Sequence, residues 1–168
     1  MHVGIVADTH DNVEAARAAT DVFEEEGVEV IVHCGDFVAP PVIDAFEGFE
    51  LHGVLGNNDG EIAGLEAAFD ALGTGSELHG RFADLEFDGL SMAVLHGESL
   101  AEVRALADGE TYDYVCYGHH HEREHETDGR TTVVNPGAHF PTVPADHRTV
   151  AILDTLSESV RFRSVLEE

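Results

Sequence analysis

MHVGIVADTHDNVEAARAATDVFEEEGVEVIVHCGD, residues 1–36, is the stretch that decides the fold. Its Val/Ile run at 2–7 reads as a strand that delivers Asp8 and His10 at its C-terminal end. Asn12 is a helix N-cap for a segment carrying Val13, Ala16, Thr20 and Phe23 at helical spacing, and Gly27 closes that helix. Residues 28–33 form a second buried strand that runs into Cys34-Gly35-Asp36. The pattern then repeats, with a proline-started helix at 41–46 and a third strand at 50–55 that ends at Gly56-Asn57. Strands alternating with helices predict a parallel βαβ sheet.

Beyond a helix at 62–72 the pattern changes. Residues 82–87 and 90–95 are two strands joined by Asp88-Gly89, a strong hairpin signal, and the second strand ends at His96-Gly97. A helix capped by Ser99 spans 99–107, and a strand at 114–117 ends at Gly118. Residues 130–134, 149–153 and 160–165 read as further strands with one extra hairpin. A parallel half is thus followed by a more antiparallel one. Two such sheets packed face to face, with helices outside, predict a four-layer α/β/β/α sandwich of two mixed sheets.

The chain has 168 residues, 43% of them hydrophobic, with no linker, repeat or low-complexity run, which fits one domain over residues 1–168. The first strand begins almost at Met1, which leaves no room for a signal peptide, and no apolar run approaches the roughly 18 residues of a membrane span. Cys34 and Cys116 read as small buried hydrophobes inside strands, not as a disulfide or a zinc pair. The expectation is a soluble cytoplasmic protein. Charge is the unusual property. Thirty-four acidic residues face eight basic ones, all arginine, for a net charge of −26. The apolar periodicity argues against disorder, so this is a folded protein with a carboxylate-covered surface. Such a surface suits a salt-loaded cytoplasm, because at 1 M salt the Debye length falls to about 3 Å and self-repulsion is screened. A halophilic source and poor stability in dilute buffer are expected. The same charge weighs against a nucleic-acid polymer as partner.

Five short clusters supply metal-type ligands in order: Asp8-Thr9-His10, Gly35-Asp36, Gly56-Asn57-Asn58-Asp59, His96-Gly97 and Gly118-His119-His120-His121. Asp8 and His10 would project on the same side of an extended segment, since strand periodicity is two. Asp36, after a strand and a glycine, could bridge two cations with its two oxygens. Asn57 offers a neutral carbonyl oxygen. In an extended loop His119 and His121 would point one way and His120 the other. Alone, Gly-Asp is a turn, Gly-Asn-Asn-Asp an Asx-rich turn, and His96 a satisfied half-buried histidine. In sequence order they describe a site at one edge of a sheet, suited to two hard or borderline divalent ions and to phosphate-ester hydrolysis.

With those motifs and Asn135-Pro136-Gly137, nearly the whole chain resembles the calcineurin-like metallophosphoesterase superfamily, and within it the YfcE-like small phosphodiesterases. The resemblance implies one ion held by Asp8, His10, Asp36 and His121. It implies a second held by Asp36, Asn57, His96 and His119, with Asp36 bridging. Asp36, Asn57 and His96 are assigned to catalysis as well as to binding. Mn²⁺ is the expected metal, with Ni²⁺, Fe²⁺ and Zn²⁺ as alternatives, because imidazole and amide ligands disfavour Mg²⁺ and Ca²⁺. The implied reaction is hydrolysis of a small phosphodiester by in-line attack of a hydroxide generated at the ions. Two divalent ions would also reverse the local sign where an anionic substrate meets an acidic protein.

Departures from the family pattern narrow that reading. Many members carry a His after the motif Asn, thought to protonate the leaving group, followed by Glu; here the residues are Asn58 and Asp59. An amide is no general acid near pH 7, so good leaving groups are favoured. Ala138-His139-Phe140-Pro141 follows the last motif without the Arg often found there, and His139 is read as structural or surface rather than substrate-binding. His33 is expected to be buried. A phosphomonoesterase is the near alternative. A metal-binding, protein-interaction scaffold without turnover, like the vacuolar-sorting relative of this family, is the distant one; it has lost the His of the first motif, which this chain keeps. No membrane partner is expected, and homo-oligomerisation is left open.

Overall fold

The computed structural model describes residues 1–73 and 75–165. In chain order it forms β1 (His2–Val6), α1 (Val13–Glu25), β2 (Val30–His33), a 3-10 helix (Pro40–Phe46), β3 (Glu50–Gly53) and α2 (Ile62–Leu72). Then come β4 (Glu77–Leu78), β5 (Phe82–Phe87), β6 (Leu90–Leu95), α3 (Leu100–Asp108), β7 (Tyr114–Cys116) and β8 (Glu124–Asp128). Last are β9 (Thr131–Asn135), a 3-10 turn (Ala145–His147), β10 (Thr149–Asp154) and β11 (Ser159–Ser164). One sheet has the order β11-β10-β1-β2-β3-β4 and the other β5-β6-β7-β9-β8. In the first, β1 to β4 run parallel and β10 and β11 add antiparallel edges. In the second, β6, β7 and β9 are parallel, flanked by their hairpin partners β5 and β8.

Strand alternation sorts the apolar side chains into three layers of core. Val3, Ile5, Val30, Val32 and Cys34 from the first sheet meet Phe87, Met92, Val94, Tyr114, Cys116 and Val134 from the second. Val6, Ile31 and Leu51 on the opposite face pack against α1, the 3-10 helix and α2 through Ala16, Phe23, Val42, Phe46, Leu65 and Phe69. Val103 and Ala107 of α3 cover Ala93, Leu95, Val115 and Val133 on the outer face of the second sheet. This is the expected four-layer sandwich. Each fully buried Phe or Ile contributes roughly 1.5–3 kcal/mol of burial. Gly4 lets α1 come close, since a Cβ there would stand 2.8 Å from the Phe23 ring.

Both expected caps are present: Asn12 accepts from the Ala15 amide at 3.0 Å and Ser99 from the Glu102 amide at 3.3 Å. Cys34 and Cys116 are free and buried. One expectation is corrected, and two strands are added to those expected. The proline-started helix is a 3-10 helix that begins at Pro40, the tighter geometry common in connectors between elements. The two-residue β4 is too short to leave a sequence pattern, and Glu124–Asp128, a polar edge strand, leaves no apolar alternation.

Candidate metal centre

Every ligand cluster lies just past the C-terminal end of a parallel strand: β1, β2 and β3 in one sheet, β6 and β7 in the other. Loops at these ends are where open α/β sheets bind ligands. Backbone bonds tie the loops together: the Asp8 amide donates to Gly35 O at 3.0 Å, the His10 amide to Asp36 O at 2.9 Å, and the Gly118 amide to His96 O at 2.8 Å. The His119 amide donates to Asp8 Oδ2 at 2.9 Å and so joins the two sheets.

The way Asp8 and His10 converge differs from the expected strand periodicity. Neither is extended: φ is 54° at Asp8 and 47° at His10. Among the described residues nine non-glycines have positive φ, and Asp36, His119 and His121 are three more of them. Left-handed backbone costs such residues about 1–3 kcal/mol each and collects where function holds it. The same correction applies to the histidine run. His119 and His121 turn to the centre on left-handed backbone, and the His120 ring meets Gly97 O at 2.9 Å.

All seven sequence-predicted ligands come together. His121 Nε2 lies 3.5 Å from Asp8 Oδ1, and His10 Nε2 lies 3.9 Å from Asp8 Oδ1 and 3.8 Å from Asp36 Oδ2. His96 Nε2 lies 3.4 Å from Asp36 Oδ2 and 3.8 Å from Asp8 Oδ1. His119 Nδ1 sits 3.1 Å from Asn57 Oδ1 and 3.3 Å from His96 Nε2. Asp8 therefore stands between the two groups of imidazoles as fully as Asp36 does.

Electrostatics explains the protonation of the group. Burial would raise the carboxyl of Asp36, but the imidazole of His96 and two bonds from Asn58 outweigh it and hold Asp36 well below the usual range. Asp8 is lowered in the same way, with burial opposed by the facing imidazoles of His10 and His121. Burial works against a proton on His96, yet Asp36, Asp8 and the Cys34 carbonyl together raise it to about 9. The Asp8 carboxylate raises His10, and burial lowers His119.

The donor set fits divalent cations. Asp8 Oδ1 and His10 Nε2 are buried with no hydrogen-bond partner among the described residues. His96 Nδ1 meets Cys34 O at 2.8 Å, which directs its Nε2 into the centre. Buried carboxylates and imidazoles facing one another at 3.4–3.9 Å are too far apart for hydrogen bonds. A cation between them would satisfy both and replace the proton on His96.

Several residues around the ligands have supporting contacts that sequence position alone does not reveal. Asn58 donates its amide N–H to Asp36 Oδ1 at 3.0 Å and its side-chain N–H to Asp36 Oδ2 at 2.8 Å. Asp59 accepts from the amides of Asp36, Val38 and Gly56 at 2.7–2.9 Å, so it staples the β2 and β3 loops together. Burial pushes its pKa up against those three donors. Gly56 has no room for a side chain, because a Cβ would meet the Asp36 amide nitrogen at 2.6 Å and collide with its carboxylate. Asn135 donates to Gly118 O at 3.1 Å and accepts from the Gly137 amide at 3.0 Å, which gives the Asn-Pro-Gly motif a structural task. His33 is buried as expected; it receives the Gly35 amide at Nδ1 and meets Thr9 Oγ1 through Nε2 at 2.9 Å. Burial pushes its pKa down to about 3. His139 is buried, which corrects the surface alternative, and burial pushes it to about 4.

Two clefts flank the centre. One, of about 250 Å³, is lined by Leu55, Arg81, Phe82 and Leu95 beside His96. The other, of about 210 Å³, is lined by Phe140, Val143 and His147 beside His121. Phe140 stands 4.8 Å, centroid to centroid, from each of the His10 and His121 rings. Among the described residues no helix is long and apolar enough to cross a membrane.

Comparison with known proteins agrees with this fold. The family model of the calcineurin-like phosphoesterase superfamily domain matches residues 1–158. The phosphodiesterase MJ0936 of Methanocaldococcus jannaschii is 34% identical over 173 residues, covering 100% of this chain and 100% of that protein. A solved structure described as a novel archaeal phosphodiesterase superposes with a TM-score of 0.88 at 34% identity, covering 97% of this chain and 99% of that one. The phosphoesterase YfcE from E. coli, at 18% identity and a TM-score of 0.65 over 99% of this chain and 100% of its own, shares the fold.

Proposed function

We propose that this chain, which belongs to the calcineurin-like phosphoesterase superfamily, is a phosphodiesterase that uses two divalent metal ions to hydrolyse a small phosphate diester. The carrying observation is the convergence of two buried carboxylates, four imidazoles and one amide oxygen at the meeting edge of the two sheets. Asp8, His10, His121 and Asp36 would hold one ion, and Asp36, Asn57, His96 and His119 the other. Bound there, such ions supply Lewis acidity toward the phosphoryl oxygens and a lowered pKa for water. The likeness to the methanocaldococcal phosphodiesterase supports the diester as substrate.

The residues themselves favour the same substrate class. A diester carries less negative charge than a monoester, so a chain of net charge −26 repels it less. The two clefts offer each ester arm its own place, with Phe82 and Arg81 on one side and Phe140 on the other. His96 lines the first of these clefts, and Asn57 Oδ1 lies 3.1 Å from His119 Nδ1. Asn58 is committed to both oxygens of Asp36 and has no proton to give. Leaving groups stable as anions are therefore preferred. The whole chain acts as one domain in this reading, with Mn²⁺ as the metal and a salt-rich cytoplasm as the setting that screens the acidic surface.

The test is hydrolysis of bis(p-nitrophenyl) phosphate and p-nitrophenyl phosphate in about 2 M KCl, where screening is nearly complete. Mn²⁺, Ni²⁺, Zn²⁺ and Mg²⁺ are compared with a chelated control. Metal-dependent turnover that favours the diester is expected. Faster monoester turnover would make it a phosphomonoesterase. A folded, metal-loaded protein that turns over neither would point to a metal-binding interaction role.

A further inference from the structure

The tripeptide Glu-Leu-His occurs twice, at 50–52 and at 77–79. The parallel pairing of β3 with β4 sets the two copies side by side, with His52 opposite Glu77 and Gly53 opposite Leu78. The His79 amide extends the ladder by donating to Gly53 O at 2.9 Å. Alternation sends Leu51 and Leu78 into the helix-side core. Both Glu and both His are left on the other face, where His52 stands 6.2 Å from the Phe87 ring. His52 Nδ1 and His79 Nε2 face each other at 2.8 Å, and His52 Nε2 meets Glu50 Oε1 at 2.7 Å. Glu77 Oε1 lies 3.8 Å from His79 Nδ1. One ligand atom from each of His52, Glu77 and His79 lies within 4.8 Å of the other two.

We propose that His52, His79 and Glu77 form a separate site for one borderline transition-metal ion of the zinc class, with Glu50 orienting His52. Glu50 accepts a hydrogen bond from His52 Nε2–H and so fixes the tautomer whose Nδ1 lone pair faces His79. A carboxylate behind a ligating imidazole is the usual support of a metal-bound histidine. Zn–N bonds of about 2.0–2.1 Å in a tetrahedral site would need the two nitrogens to separate only to roughly 3.3 Å. Two imidazoles and one carboxylate select zinc-like ions over magnesium or calcium, and water can complete the set on the exposed Glu77 side. The site's purpose is mechanical. It fastens the two-residue β4 to β3 just ahead of the point where the Leu55 amide donates to Gly80 O at 2.6 Å, one residue before Gly56-Asn57.

The experiment is zinc content after loading and gel filtration in concentrated KCl, with thermal melts alongside. The Asp8→Asn/Asp36→Asn double variant disables the main centre. It should retain one zinc equivalent and melt higher with zinc than without. Adding His79→Gln should remove both the equivalent and the shift. In the otherwise unaltered chain, His79→Gln or Glu77→Gln should lose one equivalent while diester turnover persists, a comparison that stands even if the double variant fails to fold. A folded double variant without zinc, or a His79→Gln chain with unchanged zinc content, would overturn the site and leave a hydrogen-bonded histidine pair. If instead the double variant holds as much metal as the unaltered chain, the main centre is misread and this one is not.

Discussion

Past the ends of β1, β2 and β7, Asp8, His10, Asp36, His119 and His121 reach a common point from left-handed backbone, with both carboxylates buried. On β3 and β4, Glu50, His52, Glu77 and His79 gather on ordinary strand alternation, and the side chain of Glu77 is 65% exposed. The first arrangement wraps ligands around a volume, because each loop bends its side chain inward at a cost in strain. The second only lays them on a surface. Buried carboxylates without water can clamp an ion and sharpen its charge, whereas exposed ones compete with solvent. Chemistry is therefore expected at the strained cluster and, at most, a fastening role at the regular one.

Crowding the loop that packs on Asp36 should have the largest effect. Gly56→Ala puts a methyl against Asp36 and its amide, and diester turnover is expected to fall by more than about 100-fold, beyond the loss typical of supporting residues. Zinc binding at His52 and His79 should survive it; parallel metal counts on the same variant check both halves of the contrast. Asn58→Ala leaves the fold of the loop but strips Asp36 of its side-chain donor at 2.8 Å. Metal affinity at the main centre should drop roughly 10-fold or more, read by Mn²⁺ titration.

Proton linkage gives a smaller effect of fixed sign. His33 has a folded pKa of about 3 against an ordinary 6.5, so the unfolded chain binds more protons between those values. Its contribution is fully present above pH 6.5 and is lost as pH falls toward 3. Denaturant melts of chelated protein at constant high salt should show stability declining through that window. His33→Asn should flatten the slope by up to about 1.4 kcal/mol per pH unit. The smallest effect belongs to the regular region. Gly80 has φ 76° with open space around it, so Gly80→Ala should cost about 1 kcal/mol in a thermal melt and leave turnover unchanged.

Much of this was legible in the sequence. Apolar runs that end at Asp8, Asp36, Asn57, His96 and His119 place each ligand at a strand end, and Asn12 and Ser99 mark helix starts by their capping chemistry. What sequence could not carry is contact between distant residues. The Asp8 bond to the His119 amide spans 111 positions, and Asn58 reaches Asp36 over 22. Strand periodicity predicts the convergence of Asp8 with His10, but left-handed turns produce it, and a backbone bent by tertiary bonds leaves no periodic trace. The burial of His139 and the pairing of the two Glu-Leu-His segments depend likewise on packing and register.

The most direct test is diester turnover by Asp36→Asn beside the unaltered chain, both folded and Mn²⁺-loaded in concentrated KCl. Asp36 Oδ2 lies 3.4 Å from His96 Nε2 and 3.8 Å from His10 Nε2, so both ions of the proposed centre depend on it. Turnover is expected in the unaltered chain, with a loss of more than about 100-fold in the variant. Equal turnover in the two proteins would contradict a shared metal centre at this edge.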